Sequence, residues 1–163
     1  MKTESLNLFI VDDNMSAVSE LKEYLLKRFG KGIRILTFNN GKSALDKVDE
    51  YTNIVVLNNH IKGENSVEVL KSIKETNPDT EVIILSENND VASAIDAYRA
   101  GAKGLIIKGR GFGKKIGDRV VRIFTAPIRI IERELGLSER IAVFIMSFLT
   151  IGLAVLLYFI FHK

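Results

Sequence analysis

Five polar residues in this chain carry chemistry that their types and order make specific: Asp12, Asp13, Asn58, Ser86 and Lys108. Adjacent carboxylates at Asp12 and Asp13 suit a hard cation such as Mg²⁺. A lysine and a hydroxyl close by can neutralise and orient a phosphoryl group. Each residue also has a plain structural reading. The Asp pair can cap the following helix, Asn58 can be a turn residue, Ser86 can open a loop and Lys108 can be solvated. What favours a common site is that each one follows a short apolar run.

Those runs read as strands. Leu6–Val11 precedes the Asp pair. Ile33–Phe38 is a second run. Ile54–Leu57 is apolar throughout and β-branched at three positions, which fits a strand buried on both faces. Glu81–Leu85 leads to Ser86, and Gly104–Ile107 leads to Lys108. Between them lie helical patterns. Met15–Phe29 has Val18, Leu21, Leu25 and Phe29 in register and stops at Gly30. Asn40–Val48 turns Ala44, Leu45 and Val48 inward. Ser66–Thr76 repeats the spacing with Val67, Leu70 and Ile73, before Asn77-Pro78. Val91–Ala100 ends at Gly101, and Lys114–Thr125 follows the last strand. Five strands alternating with helices predict a parallel α/β sheet covered on both faces. Its strand ends converge on one edge, where α/β proteins bind ligands.

The chain divides unevenly. Residues 1–107 carry 13 basic and 16 acidic side chains, whereas residues 108–140 carry 9 and 4. A weakly acidic body therefore leads into a basic connector, where an anionic lipid or a nucleic acid would be attracted. Cysteine is absent, which excludes disulfides and thiolate metal sites. The polar Met1–Ser5 does not resemble a signal peptide. Gly109-Arg-Gly-Phe-Gly113 before Lys114 has the wrong spacing for a phosphate-binding loop, and Lys115 stands where the metal-binding hydroxyl would be.

Ile141–Phe161 is a run of 21 residues without a charge. As a helix it would span roughly 31 Å, enough for a bilayer core. A buried core helix is the alternative, although core helices are rarely apolar all round. The expected division is a domain at 1–125, a basic juxtamembrane connector at 126–140, a transmembrane helix at 141–161 and a tail at 162–163. Arg129, Arg133 and Arg140 before the span outweigh Lys163 after it, so the first domain is expected on the cytoplasmic side of a cell inner membrane. The connector either lies against anionic head groups or is an ordinary solvated face.

Val11-Asp12-Asp13, Ile54-Val-Val-Leu-Asn58, Gly63, Val82-Ile-Ile-Leu-Ser86 and Gly101-Ala102 leading to Lys108 together resemble the receiver domain of two-component response regulators, over residues 5 to about 125. The resemblance implies a flavodoxin-like five-stranded sheet. It implies Mg²⁺ on the paired acids, a phosphoryl-accepting Asp after the third strand, and a Ser or Thr and a Lys that sense the phosphorylated state. It also implies partner docking on the face formed by the fourth helix, fifth strand and fifth helix, here within 91–125. The departures are Asn58 at the acceptor position, Leu105 where an aromatic relay is common, and Gly109 where a proline usually follows the lysine.

The reading that follows is a membrane-anchored pseudo-receiver. It binds an unidentified protein partner without phosphorylation, requires no cofactor, and at most holds Mg²⁺ weakly. No catalytic module and no DNA-binding output are evident, so neither enzyme activity nor a nucleic-acid partner is expected. Two alternatives stay open. One is a phosphorylatable receiver whose acceptor is substituted or bypassed. The other is a structural membrane protein whose C-terminal helices form an oligomer, such as a homodimer. The loose heptad Ile116, Val120, Ile123, Ile130, Leu137, Ile141 would serve the second, with Pro127 expected to kink or interrupt it.

Overall fold

A computed structural model of the chain describes residues 5–87 and 91–135, with side chains to residue 123, and residues 141, 143–144, 146–152 and 158. It contains two compact units, Met1–Asp118 and Arg119–Lys163. The first unit is built from β1 (Leu6–Val11), α1 (Met15–Phe29), β2 (Ile33–Phe38), α2 (Gly41–Leu45), β3 (Ile54–Asn58), α3 (Ser66–Thr76), β4 (Glu81–Ser86), α4 (Val91–Arg99), β5 (Gly104–Ile107) and the start of α5 (Phe112–Leu135). A single 3-10 turn at Gly30–Gly32 joins α1 to β2.

The helix ends follow local chemistry. Asn14 caps α1 by accepting from the Ala17 amide at 3.2 Å, and Asn65 caps α3 by accepting from the Val67 amide at 3.0 Å. Gly30 ends α1 at φ 55°, and Gly63 turns the loop after β3 at φ 79°. Both are left-handed conformations that a β-carbon disfavours.

All five strands are parallel in the order β2-β1-β3-β4-β5. Every residue of β3 is buried, as a central strand covered on both faces requires. The edge strands β2 and β5 are only partly buried. On one face Phe9, Val11, Val55, Leu57, Val82 and Ile84 pack with Ala44, Val69, Leu70, Ile73 and Ala97. Their alternates Leu8, Ile10, Ile54, Val56, Ile83 and Leu85 are buried too, as are Val18, Leu21 and Leu25 of α1 and Ile116 of α5. Burying one such Leu or Ile contributes roughly 1.5–3 kcal/mol. Gly117 lets α5 pass close to α1, because a β-carbon there would lie 2.7 Å from Arg28 Nη1 and 3.2 Å from Tyr24 Cε1.

Three expectations are corrected. Val69, not Val67, is the buried valine of α3. Both fit a helical stripe, and the choice depends on the angle at which α3 lies on the sheet. The second helix is shorter than 40–48: Asn40 is its cap and Val48 packs from beyond its end. The fifth helix is longer than 114–125, running from Phe112 to Leu135 through Pro127. Proline removes one N–H, and the surrounding turns retain their own hydrogen bonds.

Among the described residues no helix is long and apolar enough to cross a membrane. The 141–161 segment is helical where described, and the rest of it, with Arg140, lies outside the described residues.

Candidate functional site

The chain order reverses at β1, which has β2 on one side and β3 on the other. Loops leaving β1 and β3 therefore diverge and open a crevice at the carboxyl edge of the sheet. Asp12 follows β1 there, Asn58 ends β3, Ser86 ends β4 and Lys108 follows β5. The register aligns them: Leu57 pairs with Ile84, Asn58 with Leu85, and Ser86 with Ile107.

Asp12 is the centre of the cluster and is 1% exposed. Its Oδ2 lies 2.7 Å from Lys108 Nζ, in an ion pair whose side chains are 2% and 12% exposed. That contact has the distance of an ion pair but not the angles of a hydrogen bond, since Lys108 Nζ makes none. Lys108 Nζ also stands 3.9 Å from the exposed Glu87 carboxylate. Asp12 Oδ1 accepts from the Asn14 amide at 2.9 Å and from Asn58 Nδ2 at 3.0 Å. Asn58 Nδ2 donates a second time, to the His60 carbonyl at 3.0 Å.

Those two contacts fix the chemistry of position 58. A carboxylate and a carbonyl only accept, so the group facing both must donate. An amide nitrogen does this with its two protons. An ionised carboxylate in the same place would set oxygen against oxygen twice.

Asp13 is exposed, and its Oδ2 accepts from the Lys62 amide at 3.3 Å. Ser86 is buried at 1% exposure, and its carbonyl accepts from the Lys108 amide at 2.7 Å. Asn59 is bonded through its amide N–H to the Leu85 carbonyl at 2.7 Å, and its side-chain oxygen accepts from Ser66 Oγ at 3.0 Å. Leu105 packs partly buried against the core, and Gly109 is exposed beyond Lys108. Arg129 and Arg133 belong to the described helical backbone of α5.

Sequence reasoning brought Asp12, Asn58, Ser86 and Lys108 to one edge but missed several partners. The Asn14 amide had a signal, because an Asp two residues earlier often closes such a turn. Glu87 was visible as a charge next to Ser86. The His60 carbonyl and the Lys62 amide had none, since backbone atoms look alike in any sequence.

The donor set bears on Mg²⁺. Asn58 Oδ1 is buried without a hydrogen-bond partner, beside the Asp12 carboxylate. With Asp12 and Asp13 it offers two anionic oxygens and one neutral one to a hard cation. Against that, Lys108 already offsets the Asp12 charge. The residues fit a weak divalent site, in which the ion would supply positive charge to crowded oxygens. Among the described residues no cluster of three or more His, Cys, Asp or Glu side chains could hold a metal. A cleft of about 800 Å³ adjoins this crevice through Asn59 and His60, with Glu64, Lys71, Asp96 and Arg99 on its walls.

Known proteins share this architecture. The transcriptional regulatory protein ZraR of Klebsiella oxytoca is 33% identical over 115 residues, 70% of this chain and 25% of that protein. The chain thus spans about a quarter of the length of that relative. The solved response regulator DrrB of Thermotoga maritima, an OmpR/PhoB homologue, is 27% identical with a TM-score of 0.66, over 76% of this chain and 54% of that one. A chain of the CheX–CheY–BeF3–Mg²⁺ complex of Borrelia burgdorferi is 26% identical with a TM-score of 0.64, over 73% and 89%. Residues 8–114 match the response regulator receiver domain. With its parallel five-stranded sheet and its acidic crevice at the β1/β3 switch point, this chain belongs to the response regulator receiver family.

Proposed function

We propose that this receiver works without phosphorylation, as a membrane-held module that presents a docking surface to a protein partner. The observation that carries the reading is the double donation by Asn58 Nδ2 to Asp12 Oδ1 and to the His60 carbonyl. Residue 58 is the acceptor position in the resemblance, and a carboxamide is a poor nucleophile there. Its nitrogen instead takes over part of the task a cation performs in an acidic crevice, offsetting Asp12. Lys108 supplies the rest at 2.7 Å. The crevice is thereby held in one arrangement with no phosphoryl group and no obligatory metal.

The membrane part of the proposal rests on the 21 uncharged residues of 141–161. Arg129, Arg133 and Arg140 ahead of them favour a cytoplasmic receiver. Partner docking is assigned to the region 91–125 and to no single residue.

Three experiments test the proposal. Purified protein is incubated with a small-molecule phosphodonor and weighed intact. The expected spectrum shows the unmodified mass, and a phosphorylated species would overturn phosphorylation independence. Membranes from cells expressing the chain are then extracted at alkaline pH. Retention in the pellet is expected, and release into the supernatant would overturn the anchor. Protease added to sealed right-side-out cells should leave the receiver intact.

A further inference from the structure

The second compact unit begins with the C-terminal part of α5, from Arg119 to Leu135. Because the helix continues through Pro127, residues three and four apart fall on one face. Arg119, Arg122, Arg129 and Arg133 then occupy an arc of about 80°, and Ala126 fills the remaining step of the same row. Glu132 and Glu134 fall outside the row, so it holds four cations and no acid. Arg122 is exposed. The adjoining arc takes Ile123, Phe124, Pro127, Ile130 and Ile131, and Glu134 enters it only in the last turn of the helix. An apolar row beside a basic row is the pattern of a helix that lies in a membrane interface.

We infer that this stretch of α5 binds anionic phospholipid, with the arginine row over the phosphates and the neighbouring row at the acyl boundary. The inference rests on the membrane-anchored reading above. Two things select lipid over other anionic or apolar occupants. First, the helix leads into the uncharged 141–161 segment, so an anchored chain keeps α5 near head groups. Second, a nucleic acid would use the arginines and leave the apolar row uncovered. A second copy of the helix would set arginine rows near one another and be repelled. The consequence is that the chain responds to the charge of the bilayer as well as to its presence.

The chain has no cysteine, so one introduced thiol can be labelled without background. Ala126→Cys places an environment-sensitive fluorophore in the middle of the arginine row. The full chain is reconstituted in vesicles of phosphatidylcholine alone or of phosphatidylcholine with phosphatidylglycerol. The expected result is blue-shifted emission and stronger quenching by lipid-borne quenchers in the anionic vesicles, both reversed as salt rises. Arg129→Glu with Arg133→Glu should abolish the shift. Arg119→Gln with Arg122→Gln should reduce it, and serves as a second variant should the first misfold by circular dichroism. Equal emission in the two vesicle types would overturn the inference. A shift produced by an oligonucleotide and not by vesicles would also overturn it, as would one that follows dimer mass in lipid-free detergent. Alkaline extraction is run on the same samples. If the chain is stripped, the anchor reading fails, and the labelled protein added to preformed vesicles still decides the lipid inference.

Discussion

The two edges of the sheet are both polar, yet they are built to different rules. At the amino edge, Thr80 Oγ1 donates to the Thr52 carbonyl at 2.7 Å and Asn77 Nδ2 donates to the Asp49 carbonyl at 3.0 Å. Thr52 Oγ1 donates to Asp49 Oδ1 at 2.8 Å while accepting from the Asp49 amide at 3.1 Å. Asn7 bonds Asn53 and Tyr51 in the same way, side chain against backbone. Lys74 Nζ closes the turn by donating to the Pro78 and Thr80 carbonyls at 2.9 and 2.6 Å. Here side chains, the charged Asp49 and Lys74 among them, bond to one another and to backbone groups at the strand ends. At the carboxyl edge an ion pair is buried, and Asn58 Oδ1 is left without a partner. A fold gains little from such an arrangement, because desolvating two charges offsets most of their attraction. The difference teaches that the amino edge exists to close loops, whereas the carboxyl edge keeps a costly cluster that fold stability does not explain.

The sharpest way to break that comparison is to unpair the charge. Lys108→Met leaves Asp12 buried without its cation and should cost about 3 kcal/mol in urea unfolding. Adding Asp12→Asn should restore most of the loss, because the double variant buries no charge. An unchanged midpoint in the single variant would mean that the pair contributes nothing.

Asn58→Asp comes next. It replaces two hydrogen bonds by two oxygen–oxygen contacts beside Asp12, so the protein without divalent cation should lose about 2 kcal/mol. Mg²⁺ should recover that loss and should bind the variant more tightly than the parent, since an anionic oxygen is added. Equal Mg²⁺ affinity by titration calorimetry would mean that residue 58 does not face the cation position.

The amino edge should be indifferent to divalent cation. Asn77→Ala removes one of the two bonds to the Asp49 carbonyl, which keeps the Thr52 amide, and the acceptor of the Asp79 amide, at a cost of roughly 1 kcal/mol that does not depend on Mg²⁺. A Mg²⁺ dependence there would erase the distinction between the edges.

The smallest effect is at Lys74. Burial lowers its pKa below the ordinary 10.5, against the opposing pull of Glu81. The folded state therefore binds less proton than the unfolded state in the window just below 10.5, and stability should rise slightly with pH through it. Lys74→Met should flatten that slope in melts taken across the window.

Much of the molecule was legible beforehand because its signals are local. The four-residue apolar run 54–57, bounded by polar residues, can only be a strand buried on two faces once helices alternate around it. Asn14 and Asn65 stand where helix caps are favoured, and Gly30 and Gly63 stand where the backbone turns left-handed. Parallel topology then forces Asp12, Asn58, Ser86 and Lys108 onto one edge. The helix angle that chose Val69 over Val67, and the continuation of α5 through Pro127, were not legible. Both depend on how a whole element is held, and spacing alone does not encode that.

By itself the sequence determined which polar residues end the strands, since the apolar runs and the alternation with helices follow from the hydrophobic pattern, while the strand order was implied only by the family resemblance. Only the tertiary structure decided which atoms face which. Asp12 Oδ1 and the His60 carbonyl converge on residue 58 from two different loops, 46 and 2 residues away. Two acceptors at one point demand a donor, and that demand makes an amide at position 58 a physical fit.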